Sequence, residues 1–200
     1  MTLLVKLHFF KILAVLLLTS SAWSQTATKQ RRILFDVTGL LGYGSAKTST
    51  DTTPPTVGSF TLGVALGVNI KRFSVGAQYD YRILTQYSKT EGNAGNRRGT
   101  FTSPVSFFVR LNFEKIKFGF TLINSGKYDL MNKTFDGKIV SYGKPSGFRF
   151  QVNFKSYKKL SPGVFYESVD FSERTVDGVP SALSEKLNYG NYGFGARYEF

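Results

Sequence analysis

Val57-Gly58-Ser59-Phe60-Thr61-Leu62-Gly63-Val64-Ala65-Leu66-Gly67-Val68-Asn69-Ile70 alternates without a break. Phe60, Leu62, Val64, Leu66, Val68 and Ile70 share one side of an extended chain. Ser59, Thr61, Gly63, Ala65, Gly67 and Asn69 share the other. A period of two is the signature of a β-strand with two unlike faces. The bulky face is wholly aliphatic or aromatic, and the opposite face is small or polar. That contrast recurs along the chain and sets the fold class.

Seven further runs carry the same pattern. They lie at 33–45, 73–87, 105–113, 116–122, 148–154, 160–171 and 192–200. Phe108 is the exception in its run, standing among Ser106, Arg110 and Asn112. The run from Leu160 is the weakest. Its apolar side is either Val164 and Tyr166 or Phe165, Val169 and Phe171, and a bulge could switch faces. Asp80, Arg82, Arg110 and Arg149 fall on the sparse sides. A soluble barrel would bury its bulky faces, but the interior of eight strands has room only for filling side chains. The economical solution is inside-out, with apolar faces toward lipid and polar faces toward the lumen.

The expected fold is therefore all-β: an eight-stranded antiparallel up-and-down transmembrane β-barrel. Its connections alternate in length. Lys71-Arg72, Glu114-Lys115 and Ser156 to Lys159 are short. Lys47 to Thr56, Ser88 to Phe101, Ser125 to Gly147 and Ser172 to Lys186 are long. Short periplasmic turns and long extracellular loops are the arrangement of outer-membrane barrels.

The first segment reads as a signal peptide over residues 1–24. Lys6 and Lys11 form its basic region, Ile12 to Leu18 its apolar run, and Ala22-Trp23-Ser24 its cleavage site before Gln25. The apolar run is too short for a spanning helix, which needs about 20 residues. The barrel is expected over residues 25–200. Composition narrows function. The chain lacks Cys, and its only His is His8, within the signal segment. Thiolate and His-based metal sites, and Ser-His or Cys-His catalysis, are therefore excluded from the mature chain.

The closing run, Asn191-Tyr192-Gly193-Phe194-Gly195-Ala196-Arg197-Tyr198-Glu199-Phe200, resembles the last strand of bacterial outer-membrane β-barrel proteins. The opening run from Phe35 to Gly44 is similar to the first strand of small barrels of the OmpA/OmpX/OmpW type. The resemblance implies that Tyr192, Phe194, Tyr198 and Phe200 act as an assembly signal read by the barrel-assembly machinery. Barrel enzymes of that group mostly rely on a His, which the mature chain lacks.

The formal charge is +13, and loss of Lys6 and Lys11 would lower it by two. Within the expected strands, five acids (Asp36, Asp80, Glu167, Asp170, Glu199) meet five bases (Arg82, Arg110, Lys117, Arg149, Arg197). Charges confined in a narrow lumen are tolerated when paired. A lumen ion-pair network is expected from Asp36, Asp80, Arg82, Arg110, Lys117, Arg149, Glu167, Arg197 and Glu199, acting as a plug. Aromatic belts are expected at the two interfaces, with Tyr43, Tyr87, Tyr128 and Tyr189 outward on one side. Phe73, Phe113, Phe118, Phe154, Tyr198 and Phe200 would form the other belt.

The expected function is that of a non-enzymatic integral outer-membrane protein with a structural or surface-interaction role through its loops. Two alternatives stand beside it: a narrow channel for small or hydrophobic solutes, and a soluble secreted lipid-binding barrel. No cofactor or metal is implied. Expected partners are outer-membrane lipids, with lipopolysaccharide phosphates meeting Arg97, Arg98 and the lysines of the third long loop, and the barrel-assembly machinery during insertion. Nucleic acid is not expected, and a monomer is.

Overall fold

The computed structural model describes residues 33–47, 56–87, 97–131, 137–155 and 159–200. The expected signal segment over 1–24, the tip around Pro54-Pro55, and the side chains of Tyr87 and Arg97 lie outside the described residues.

Among the described residues, nine strands form one antiparallel sheet. They are β1 (Ile33–Lys47), β2 (Thr56–Ile70), β3 (Phe73–Tyr87), β4 (Arg97–Asn112), β5 (Ile116–Ile123), β6 (Lys127–Leu130), β7 (Val140–Phe154), β8 (Leu160–Val176) and β9 (Val179–Glu199). Each pairs with the next in sequence, except that β5 and β6 lie end to end between β4 and β7. β9 returns to β1, with Asp36 opposite Glu199 and Lys47 opposite Asn188. The ring is closed where β9 pairs with β1, which removes the edge-pairing hazard there, while Val179 to Leu187 of β9 have only β8 beside them. It is an up-and-down barrel of eight positions, one of them filled by two short strands.

The short and long connections fall at opposite ends, here called the turn end and the loop end. At the turn end β2 joins β3 through Lys71-Arg72, and Lys71 adopts a left-handed φ of 56°. The loop end departs from expectation. The stretch Ser172 to Lys186 is not a loop but the top of the β8–β9 hairpin. Its turn is Asp177-Gly178, with φ of 48° and 85°. Two positive φ values in a two-residue connection define the hairpin turn whose twist matches its strands, and Asp-Gly is a preferred pair for it. Between Phe171 and Glu173 the register slips, and Leu183 to Lys186 supply the extra residues on β9.

The stretches Ser88 to Phe101 and Ser125 to Gly147 also contain strand. β4 starts at Arg97, and β6 and the upper part of β7 occupy the second stretch. β4 is longer than its alternation predicts because its faces change partway. Gln78 pairs with Ser106 but Asp80 with Ser103, so β4 carries one extra residue at Pro104-Val105. Proline lacks the N–H a ladder needs and marks such bulges. Opposite the bulge, β5 and β6 are interrupted at Asn124-Ser125-Gly126. Side chains bridge the gap: Ser125 Oγ donates to the Val105 carbonyl at 2.6 Å, and Ser103 Oγ to the Ser125 carbonyl at 2.8 Å. Below the bulge the inward residues are Ser106, Phe108 and Arg110. Above it they are Gly99, Phe101 and Ser103.

Polarity reverses along the barrel axis. In the turn-side part the outward faces are apolar: Leu66, Val68, Phe107, Phe150, Tyr192 and Phe194 are all exposed. The inward faces there are polar and buried. Near the loop end the order is the ordinary one. Thr85, Thr100, Thr102, Lys127 and Asp129 face out, while Val57, Leu84, Phe101, Val169 and Phe171 are buried within. The strands explain this. A 15-residue strand such as β2 is about 50 Å long at ~3.3 Å per residue. A tilted membrane strand needs only ~9–11 residues. The part beyond an apolar band meets water and so buries its apolar side.

Candidate functional site in the barrel lumen

The lumen is filled in layers. At the loop end lies an apolar layer of Ala46, Val57, Leu84, Phe101, Ile123, Tyr128, Leu130, Val140, Val169, Phe171 and Tyr189. Phe101 and Phe171 meet edge to face with ring centres 5.1 Å apart. A smaller apolar group, Leu34, Ala65 and Phe108, lies toward the turn end. The charges lie between and below these groups.

The loop-side charge group joins β3, β7 and β8. Arg82 presents Nε and Nη2 to the two carboxylate oxygens of Glu167, each at 2.9 Å. Arg149 Nε donates to Glu167 Oε2 at 2.8 Å, and its Nη1 to Asp80 Oδ1 at 3.3 Å. Arg82 Nη2 also reaches Asp80 Oδ2 at 3.1 Å, and Gln78 Nε2 donates to Asp80 Oδ1 at 2.8 Å. All four charged residues are essentially inaccessible to solvent. Two cations and two anions give no net charge, and fork-on-carboxylate geometry is the strongest form of such pairing. The Arg82 guanidinium also lies 4.5 Å from the centre of the Phe101 ring, so a cation–π contact couples the charged layer to the apolar one.

The turn-side group joins β1, β4, β5 and β9. Arg110 pairs with Asp36 through both guanidinium nitrogens and stacks on Phe108, with Cζ 3.9 Å from the ring centre. Lys117 pairs with Glu199. Arg197 Nη2 donates to Gln151 Oε1 at 2.9 Å and its Nε to Thr38 Oγ1 at 3.5 Å. The nine residues expected to form a network thus occupy the lumen as two adjoining groups. The balance of five acids against five bases belongs to the strands and not to the lumen. Asp170 is on the outward face of β8, where it accepts a hydrogen bond from Asn188 Nδ2 at 2.6 Å. The nine network residues are four acids and five bases.

Polar residues complete the packing across the ring. Asn191 Nδ2 donates to Ser59 Oγ at 2.6 Å, and Asn112, Ser74 and Asn69 form a chain at the turn end. Among the described residues, no group of three or more His, Cys, Asp or Glu comes together as a metal site.

Two other expectations are corrected or settled. Tyr128 and Tyr189 do not belong to an outer belt; both are buried in the loop-side layer. Strands above the apolar band turn their apolar side inward. In β8 the open question of facing resolves without a switch over the lower part: Val164 and Tyr166 face out, while Phe165, Glu167, Val169 and Phe171 face in. The closing strand turns Tyr192, Phe194, Tyr198 and Phe200 outward, and Phe200 N donates to the Phe35 carbonyl at 3.0 Å.

The loop-side apolar layer was missed from the sequence. Its signal was present in β8, where Phe165, Val169 and Phe171 share the parity of a charged residue. Val169 and Phe171 belong to that layer.

No family model matches the sequence, and no curated protein matches it. Solved structures do. The chain is similar to Neisserial surface protein A, with a TM-score of 0.52 and 14% identity over 83% of this chain and 97% of that one. It is also similar to Ail, the attachment invasion locus protein of Yersinia pestis solved with the heparin analogue sucrose octasulfate. That match has a TM-score of 0.52 and 14% identity, covering 86% of this chain and 100% of the other. The fold is that of the small outer-membrane β-barrels.

Proposed function

We propose that this protein is an integral barrel of the bacterial outer membrane, closed to ions and without enzymatic activity, that works through its loop-end surface. The observation that carries this reading is the reversed polarity of the turn-side part. An apolar band encircles the ring there, while Asp36, Asp80, Arg82, Arg110, Arg149, Glu167 and Arg197 are buried inside it. Water would expel such an exterior, whereas lipid accepts it, and a closed ring leaves no backbone group unpaired within hydrocarbon. The turn end faces the periplasm and the loop end the exterior, following the asymmetry of connection lengths.

Closure follows from filling. Guanidinium–carboxylate bridges cross the lumen from opposite strands, and the apolar layer lies above them. The tall β8–β9 hairpin and the three long connections are then the surface available to partners or lipopolysaccharide. Outer-membrane lipids surround the apolar band, and the closing strand is the segment the assembly machinery would read.

The test has two parts. Outer-membrane fractions run unheated and boiled on a semi-native gel should show a heat-dependent mobility shift. Purified protein in planar bilayers should give no steady conductance. Recovery as a soluble periplasmic protein would overturn the membrane assignment, and steady conductance would overturn the closed lumen.

A further inference from the structure

The turn-side charge group contains three cations, Arg110, Lys117 and Arg197, and two anions, Asp36 and Glu199. Lys117 takes Glu199, and Arg110 takes both oxygens of Asp36. Arg197 is left with a flank of the same carboxylate, its Nε 3.7 Å from Asp36 Oδ1. Its hydrogen bonds go to neutral groups, Gln151 and Thr38. Because the loop-side group is neutral, the surplus positive charge of the nine network residues resides here.

A second observation falls at the same place. Arg197 Nη1 and Gln151 Nε2 are both buried and have no hydrogen-bond partner among the described residues. These two side chains are already joined through Gln151 Oε1. Both unpartnered atoms are N–H donors, with no acceptor capacity. A buried surplus cation beside buried free donors is costly unless an acceptor carrying negative charge joins them. Water satisfies a donor but leaves the charge. The wall beside the guanidinium is Gly119, where an added Cβ would lie 3.7 Å from both Arg197 Nη2 and Arg110 Cγ. The surrounding lumen is filled by side chains, which favours a monatomic ion over a larger one.

We propose that the lumen holds a small inorganic anion of the halide class, bound by Arg197 Nη1 and Gln151 Nε2 as part of the folded barrel. The ion would neutralise the surplus charge, so binding would stabilise the fold by mass action. This inference rests on the lumen geometry and is independent of the partner met at the loop end.

The experiment uses the full mature barrel in detergent. Thermal unfolding is followed by heat-dependent gel mobility in sodium chloride and in sodium gluconate at equal ionic strength. The midpoint should rise with chloride in a saturable way, and bromide should substitute. Arg197→Gln should remove the halide response, and Gln151→Leu should shift it to higher halide concentration. Equal midpoints in chloride and gluconate for the unmodified protein would overturn the proposal. So would an unchanged chloride response in either variant. Should Arg197→Gln fail to fold, the unmodified protein and Gln151→Leu decide the question alone.

Discussion

Arg82 on β3 and Glu167 on β8 meet across the barrel axis, with guanidinium Nε and Nη2 each 2.9 Å from one carboxylate oxygen. Their strands occupy opposite positions in the ring, so the pair is a strut rather than a neighbouring-strand contact. Arg149 approaches the same carboxylate from β7. One anion thus holds two cations, and its loss would leave both buried with Asp80 alone.

Glu167→Gln should therefore be among the most damaging isosteric changes in the chain. Breaking a buried pair from one side costs about 3–5 kcal/mol. The measurement is urea unfolding of the refolded barrel in lipid vesicles, followed by Tyr fluorescence. A loss below that of an exposed control such as Glu114→Gln would show that the strut contributes little.

Phe101→Ala tests the loop-side layer. The ring is fully buried, packs on Phe171 and lies against the Arg82 guanidinium. Truncating a buried Phe costs about 3–5 kcal/mol. The midpoint of heat-dependent gel mobility should fall accordingly. A midpoint equal to that of the unmodified barrel would mean that this layer is loosely packed.

Depth along the outer face should be readable from charge insertion. Val64→Arg places a cation within the apolar band and should cost about 2–4 kcal/mol, whereas Thr100→Arg near the loop end should cost about 0–1 kcal/mol. Both residues face outward. Equal costs in vesicles would remove the boundary between lipid-facing and water-facing parts drawn above.

Gly76 illustrates a close approach that no other residue permits. A Cβ there would stand 2.2 Å from the Leu66 carbonyl oxygen and 2.8 Å from Phe108 Cζ. Gly76→Ala should cost about 1–3 kcal/mol through overpacking. Gly39 has nothing within 4 Å of the same position, so Gly39→Ala should be close to neutral. The pair is compared by thermal midpoint, and similar losses would contradict the packing of Phe108 against the β2–β3 wall.

Much of the barrel is legible in the primary structure because a strand's side-chain period is two. Once Phe60 to Ile70 face one way, Ser59 to Asn69 must face the other, and a narrow ring leaves lipid as the place for the bulky side. The same rule placed Asp80, Arg82, Arg110 and Arg149 inward. It failed where parity itself changes. The extra residue at Pro104-Val105 reverses the faces of β4, which hid the strand above it. Pro104 marks that site, and Asp177-Gly178 marks a hairpin within the expected loop.

The residues alone thus determined the strand class, the inside-out lower barrel and the set of charges inside it. Periodicity is a local property, and each run carries its own. Tertiary structure decided the partners: that Glu167 serves both Arg82 and Arg149, that Asp170 stands outside, and that Arg197 is left without a carboxylate of its own. Such choices depend on stagger between strands far apart in sequence and on where the barrel leaves its apolar band. No single run contains either quantity.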